Sequence, residues 1–215
     1  MNRRLHVALA VGLGAGLGSE ITSRAREAWL RPADLHRSPA FVRVHVPLLA
    51  RRPVGLALLD DDRLLVTSYD RLQVLTLSTG RADDVPAPPA ELVPRWVPTG
   101  LAVDHDSVWV ANYLGGDVIE LGPDLRFRRR LTHPELRGPE GIASCPERDL
   151  LAVADFDADK VIAFRRSTLE RLWSYPAASA HGVAIDGRRV VASAIQARVL
   201  YAFPLAGRPI ETTGK

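Results

Sequence analysis

At 215 residues, the chain is long enough for one sizeable hydrophobic core or for a short array of repeats. Apolar residues make up 47% and charged residues 25%, as in an ordinary globular protein, and the single cysteine, Cys145, excludes an internal disulfide. The formal net charge is +3, but the basic residues are spread along the chain. The densest run, Arg128 to Arg130, has no interleaved aromatic residues, so we expect no nucleic-acid binding.

The first thirty residues differ from the rest. A short basic stretch, residues 1–4, precedes a Gly-rich apolar stretch of fourteen residues, 5–18. That stretch is shorter than the roughly 20 apolar residues of a transmembrane helix. It has the length and flanks of a secretory signal peptide, which predicts export to the periplasm or the extracellular space. The alternatives for residues 1–30 are an uncleaved anchor, through which alone the chain would contact a membrane, an organelle transit sequence, and a helical N-terminal arm. Residues 31–40 are interpreted as a linker because they are rich in Pro, Ser and Asp.

A repeat begins after this linker. Four segments resemble one another, and their glycines are 45, 41 and 41 residues apart: 53–57 (PVGLA), 98–102 (PTGLA), 139–143 (PEGIA) and 180–184 (AHGVA). We expect the glycine to allow a sharp turn where the chain enters a new unit. The branched residue and the alanine that follow suit a crowded innermost strand.

Two further apolar runs follow each glycine, and a weaker fourth run ends the units. The second runs are 64–66, 108–110, 150–153 and 190–192; the third are 72–75, 118–121, 161–164 and 199–203; the fourth include 127–131 and 169–175. Short strands that recur every 40–45 residues are typical of the four-stranded blade of a β-propeller. The sequence therefore predicts an all-β domain over residues 41–215, with about four four-stranded blades, preceded by a segment that is not part of the propeller.

The units 139–164 and 98–121 resemble NHL repeats and, more broadly, the six-bladed propellers that include the gluconolactonase-like enzymes. The resemblance covers residues 53–203 and implies a propeller with a binding face, but no particular reaction. Only four units are visible where the family has about six blades, which indicates a short or partial member. A truncated chain, a small open propeller and closure through a homo-oligomer all remain open. Residues 41–46 (FVRVHV) look like a lone strand that completes another blade or closes the ring.

In a four-stranded antiparallel blade, the residue before the motif glycine and the loop between the second and third strands share one face. On that face we expect a protein or a small polar ligand to bind residues at these two positions: Thr99, Asn112, Glu140, Asp155 and His181. Glu140, His181 and Asn112 are also candidate ligands of a divalent metal. Each has a structural alternative, namely a solvated carboxylate, a packed histidine, or turn-capping hydrogen bonds for Asn112 and Asp155.

Two function classes follow. The first is a non-catalytic propeller without a cofactor that binds a protein, peptide or glycan on this face. The alternative, implied by the resemblance, is a gluconolactonase-like, metal-dependent hydrolase of lactones or esters. Glu140-Gly141 matches one element of that family's metal site, but Val54 and Thr99 stand where further ligands are needed, and His181 replaces an Asn or Asp. A zinc lyase of the amidating type would need several histidines, and only His181 is suitably placed. No catalytic residue is assigned, and binding is the favoured hypothesis.

Overall fold

A computed structural model describes residues 52–206, which form four consecutive antiparallel sheets. The first sheet contains β1 (Leu56–Leu58), β2 (Arg63–Ser68), β3 (Arg71–Thr76) and β4 (Arg81–Val85). The second contains β5 (Pro98–Val103), β6 (Val108–Asn112), β7 (Asp117–Leu121) and β8 (Phe127–Thr132). The third contains β9 (Pro139–Cys145), β10 (Leu150–Asp155), β11 (Lys160–Arg165) and β12 (Arg171–Pro176). The fourth contains β13 (Ala180–Ile185), β14 (Arg189–Ala194) and β15 (Val199–Pro204).

Each sheet pairs its strands in chain order, so the repeating units of the sequence are the sheets of the structure. The predicted all-β class and blade order are confirmed. The fourth sheet has three strands within residues 52–206, where the repeat predicts four. The predicted signal or arm (1–30), the linker (31–40) and the lone strand (41–46) lie outside the described residues. A single 3-10 turn, Pro146–Arg148, is the helical element of this region, and no helix in it is long and apolar enough to cross a membrane.

Consecutive blades pack face to face through three hydrophobic clusters. Leu65 and Leu72 of the first blade pack with Val108 and Val110 of the second. Trp109 and its neighbours then join the second blade to the third, and a further cluster joins the third to the fourth. We call the face of a blade that contacts the following blade its trailing face, and the opposite face its leading face. Side chains alternate between the two faces of a strand, so the second and third blades, which have a neighbour on each side, bury apolar side chains on both faces.

The motif glycines are required by this packing rather than by a turn, which corrects the expectation from sequence. In the part of the chain that the structure describes, the positive-φ glycines are Gly80, Gly116 and Gly187, and none belongs to the motif. A Cβ on Gly55, Gly100 or Gly141 would instead overlap the backbone carbonyl of the residue before the next motif glycine. The innermost strands therefore approach so closely that only a hydrogen fits between them.

The basic run at Arg128 to Arg130 is used within the fold. Arg130 Nε donates to Asp117 Oδ2 at 2.5 Å, and Arg129 pairs with the buried Glu120. Arg129 also donates to the carbonyl of Ser167 at 2.8 Å, and Arg128 donates to the carbonyl of Asp106 at 2.7 Å. The run therefore holds the outermost strand of the second blade to neighbouring segments.

Candidate functional site

Glu140 on β9 and His181 on β13 are brought together by the packing of neighbouring innermost strands. The Glu140 side chain is 9% exposed and that of His181 27%, and Glu140 Oε2 lies 3.1 Å from His181 Nε2. Despite this distance, Oε2 is buried and has no aligned hydrogen-bond partner among residues 52–206. Buried polar atoms are normally satisfied, so an unpartnered carboxylate oxygen beside a partly exposed imidazole marks a candidate binding position.

Two tyrosines from the second loops of the first two blades lie close enough to Glu140 for its charge to affect them. The Tyr113 hydroxyl donates to Asp157 Oδ1 at 3.1 Å. Burial and the hydrogen bond to Asp157 raise the pKa of Tyr113 to about 12, with a smaller effect from the negative charge of Glu140. Partial burial, and then the Glu140 charge, also raise the pKa of Tyr69, which is 43% exposed. Both hydroxyls therefore remain protonated at neutral pH and can donate hydrogen bonds. We call Tyr69, Tyr113, Glu140, Asp157 and His181 the Glu140 cluster.

Gly138 allows the Tyr113 ring and the Asp157 carboxylate to approach the start of β9. A Cβ at this position would lie 2.8 Å from Tyr113 Cε2 and 2.5 Å from Asp157 Oδ2. This glycine is two residues before Glu140, so the contact of Tyr113 with Gly138 also keeps the tyrosine near the buried Glu140 carboxylate.

Asp155 and Asn112, which end the second strands of their blades, bind backbone rather than facing a ligand. Asp155 is fully buried and accepts from the amides of Arg137, Gly138 and Ala158 at 2.8 to 2.9 Å. Burial raises its pKa, against the opposing effect of these three hydrogen bonds. Asn112 accepts from the Val97 amide at 2.6 Å and donates to the Arg95 carbonyl at 2.7 Å. Both residues hold the segment that leads into the innermost strand of their own blade.

Asp155→Ala is expected to destabilise the fold by about 2 kcal/mol, because it leaves buried amides without an acceptor. The loss also loosens the segment that carries Glu140. Urea unfolding followed by tryptophan fluorescence measures the effect. Asp61→Ala, at an exposed aspartate, is the matched control and is expected to be neutral. Equal unfolding midpoints for the two variants would show that the buried carboxylate does not hold this segment.

Thr99 is also buried, and its hydroxyl lies 3.2 Å from the carbonyl oxygens of both Ala111 and Pro139. Of the five binding residues expected from sequence, the structure thus joins Glu140 and His181 in a partly exposed site. It places Thr99, Asn112 and Asp155 in backbone contacts beneath it.

Asn112 is not free to act as the third ligand of the metal site predicted with Glu140 and His181. Both amide atoms of Asn112 are already bonded within the protein, since Nδ2 also donates to Asp117 Oδ1 at 2.6 Å. Within residues 52–206, no group of three or more His, Cys, Asp or Glu side chains is arranged to hold a metal ion. Glu140 and His181 supply two donors, whereas catalytic zinc sites have three protein ligands.

The sequence places the second loops, and with them Tyr69 and Tyr113, on this face, but neither tyrosine was selected as a binding residue although a repeat signal marks them. Tyr69, Tyr113 and Phe156 each follow the last residue of the second strand of their blade, and Ile195 stands at the same position in the fourth. A large side chain that recurs at the first loop position is a signal for a shared surface.

No family model and no curated protein matches this sequence. Similar solved structures include the computationally designed Ika4 protein, with a TM-score of 0.56 and 12% identity over 74% of this chain and 95% of that one. A streptogramin B lyase gives 0.58 and 16% identity over 79% of this chain and 58% of the lyase. The WD40 repeats of RRP9 give 0.55 and 11% identity over 71% of this chain and 51% of that one. The chain thus spans little more than half the length of the latter two, and these likenesses show that its four sheets are the blades of a β-propeller fold.

Proposed function

We propose that this chain is a non-catalytic, NHL-like propeller that binds a protein, peptide or glycan segment at the Glu140 cluster. The observation that carries the proposal is the buried Glu140 Oε2, which has no aligned hydrogen-bond partner among residues 52–206 and faces the His181 imidazole at 3.1 Å. An unsatisfied buried polar atom costs about 1–3 kcal/mol, and more when it is charged. Because this oxygen is covered, a ligand that donates a hydrogen bond to it must displace the partly exposed His181 side chain, and the new bond then recovers that free energy.

The surroundings of Glu140 favour a ligand with polar donors and an apolar surface. Tyr69 and His181 offer partly exposed rings, onto which a sugar or an extended side chain can pack. Asp157 adds a second, exposed carboxylate next to the Tyr113 hydroxyl. Amines, guanidinium groups and sugar hydroxyls are the ligand groups that match this arrangement, because each can donate to a carboxylate.

The rigid position of Glu140 supports recognition. It lies beside Gly141, and the backbones on both sides approach too closely for a Cβ: the Glu140 carbonyl faces Gly100, and the His181 carbonyl faces Gly141. A carboxylate held in this way loses little conformational freedom when a ligand binds, and such preorganisation increases affinity.

The proposal is tested by applying the purified full chain to arrays of peptides and glycans. We expect Glu140→Gln to weaken every genuine hit at least about tenfold, which corresponds to about 1.4 kcal/mol. His181→Ala should weaken the same hits. Glu170→Gln, at a side chain that is 72% exposed, is the matched control and should bind like the wild type.

Hits that are insensitive to Glu140→Gln would contradict the proposed site. Metal content is measured on the same samples, because it separates binding from the hydrolase alternative. A stoichiometric divalent ion that is lost in Glu140→Gln, together with cleavage of lactones, would replace binding with hydrolysis as the function.

A further inference from the structure

Residues 52–206 leave the trailing face of the fourth blade uncovered, although the same face is buried in the other three blades. Leu200 on β15 pairs with Ser193, as Leu72, Val118 and Val161 pair with the equivalent residues of their blades. Those three side chains are 0% exposed, whereas Leu200 is 73% exposed. Ala184 on β13, on the same face, is exposed as well. An apolar residue this exposed, at a position that is otherwise always buried, indicates a surface built to be covered.

The motif glycine of the fourth blade, Gly182, indicates that a β-strand would cover the trailing face of this blade. Gly55, Gly100 and Gly141 each face a backbone carbonyl of the following innermost strand. At Gly182 a Cβ would meet only Ser193 Oγ, a side chain of its own blade, at 2.9 Å. Gly182 therefore keeps the space for an incoming strand that is not found among residues 52–206.

The first blade carries a strand of the required kind. In each contact between blades, the innermost strand of the following blade packs on the two innermost strands of the preceding one. β1 is such a strand, and its leading residues Leu56 and Leu58 are 36% and 55% exposed. The equivalent of Leu56 in the third blade, Ile142, is 6% exposed because the second blade covers it.

We propose that β1 of a second copy of this chain docks on β13 and β14 of the first. The Val54 carbonyl of one copy would face Gly182 of the other, and Leu56 and Leu58 would pack against Leu200. Because each copy carries both surfaces, two copies can satisfy two identical contacts. A head-to-tail contact of this kind closes into a ring when the rotation between copies permits, which gives a dimer here.

The mass of the full chain in solution, measured by light scattering, tests this proposal. We expect two copies for the wild type and one copy for Gly182→Ala, Leu200→Asp and Leu58→Asp. Gly182→Ala is the most specific variant, because its Cβ meets only a flexible side chain in its own blade but would meet a backbone carbonyl in the dimer. It should remain folded by circular dichroism.

Leu114→Asp is the matched control, since Leu114 is 52% exposed in the loop between β6 and β7, away from both surfaces. It should remain a dimer. A wild-type mass of one copy would overturn the proposal, and so would a mass above two copies. A dimer that persists in Gly182→Ala and Leu200→Asp would show that another surface is used.

Discussion

Gly141→Ala is expected to destabilise the fold by about 3 kcal/mol, because the new methyl group overlaps backbone atoms of the next blade. It would overlap the His181 carbonyl oxygen and lie 3.1 Å from Gly182 Cα. Neither atom belongs to a side chain that can rotate away, so the third and fourth blades must separate. The change in urea unfolding midpoint measures the loss.

Gly182→Ala provides the control for this effect, because it adds the same methyl group at the equivalent position of the fourth blade. Both substitutions are compared in the Leu200→Asp background, so that association between copies does not contribute to the measured stability. We expect Gly182→Ala to cost less than about 1 kcal/mol. Equal losses for the two variants would mean that the intrinsic preference for glycine, and not the contact between blades, determines these positions.

Trp109→Ala is expected to cost about 4 kcal/mol, at the upper end for large-to-small substitutions in a core. Trp109 is fully buried between the second and third blades. Its Nε1 donates to Asp104 Oδ2 at 3.2 Å, and the guanidinium groups of Arg129 and Arg166 lie 5.6 and 5.9 Å from its ring. Removing the ring therefore opens a cavity and deprives two partly exposed cations of a favourable aromatic contact.

Urea unfolding followed by circular dichroism measures this loss, since the fluorescence of Trp109 itself is removed. Leu114→Ala, at an exposed leucine, is the control and should be close to neutral. A loss below about 1 kcal/mol for Trp109→Ala would contradict the view that this ring is central to the packing of the second blade on the third.

The binding proposal and the association proposal depend on different residues. The Glu140 cluster is formed by β9, β13 and the second loops of the blades, whereas association uses β1, Gly182 and Leu200. Leu200→Asp should therefore abolish the dimer while leaving the peptide or glycan hits sensitive to Glu140. Glu140→Gln should leave the mass unchanged. These opposite outcomes allow each proposal to fail without the other.

The spacing of apolar runs in the sequence was sufficient to predict the strands, their order and the blades. This succeeded because the strands of each blade pair with their neighbours in the chain, so that local pattern and topology coincide. Glu140 and His181 were also predicted to share a surface, because each precedes a motif glycine and equivalent positions of a repeat lie on one face.

Only the tertiary structure decided how these residues are used. Asn112 and Asp155 have the residue types of ligands, but their oxygens accept hydrogen bonds from amides of the segment that enters the innermost strand of their own blade, 15 to 18 residues earlier in the chain. The motif glycines looked like turn residues, yet they are required because neighbouring innermost strands nearly touch. The sequence of a repeat determines the strands within one unit. The distance between units depends on how the facing surfaces of two neighbouring blades pack, which the sequence of one unit does not determine.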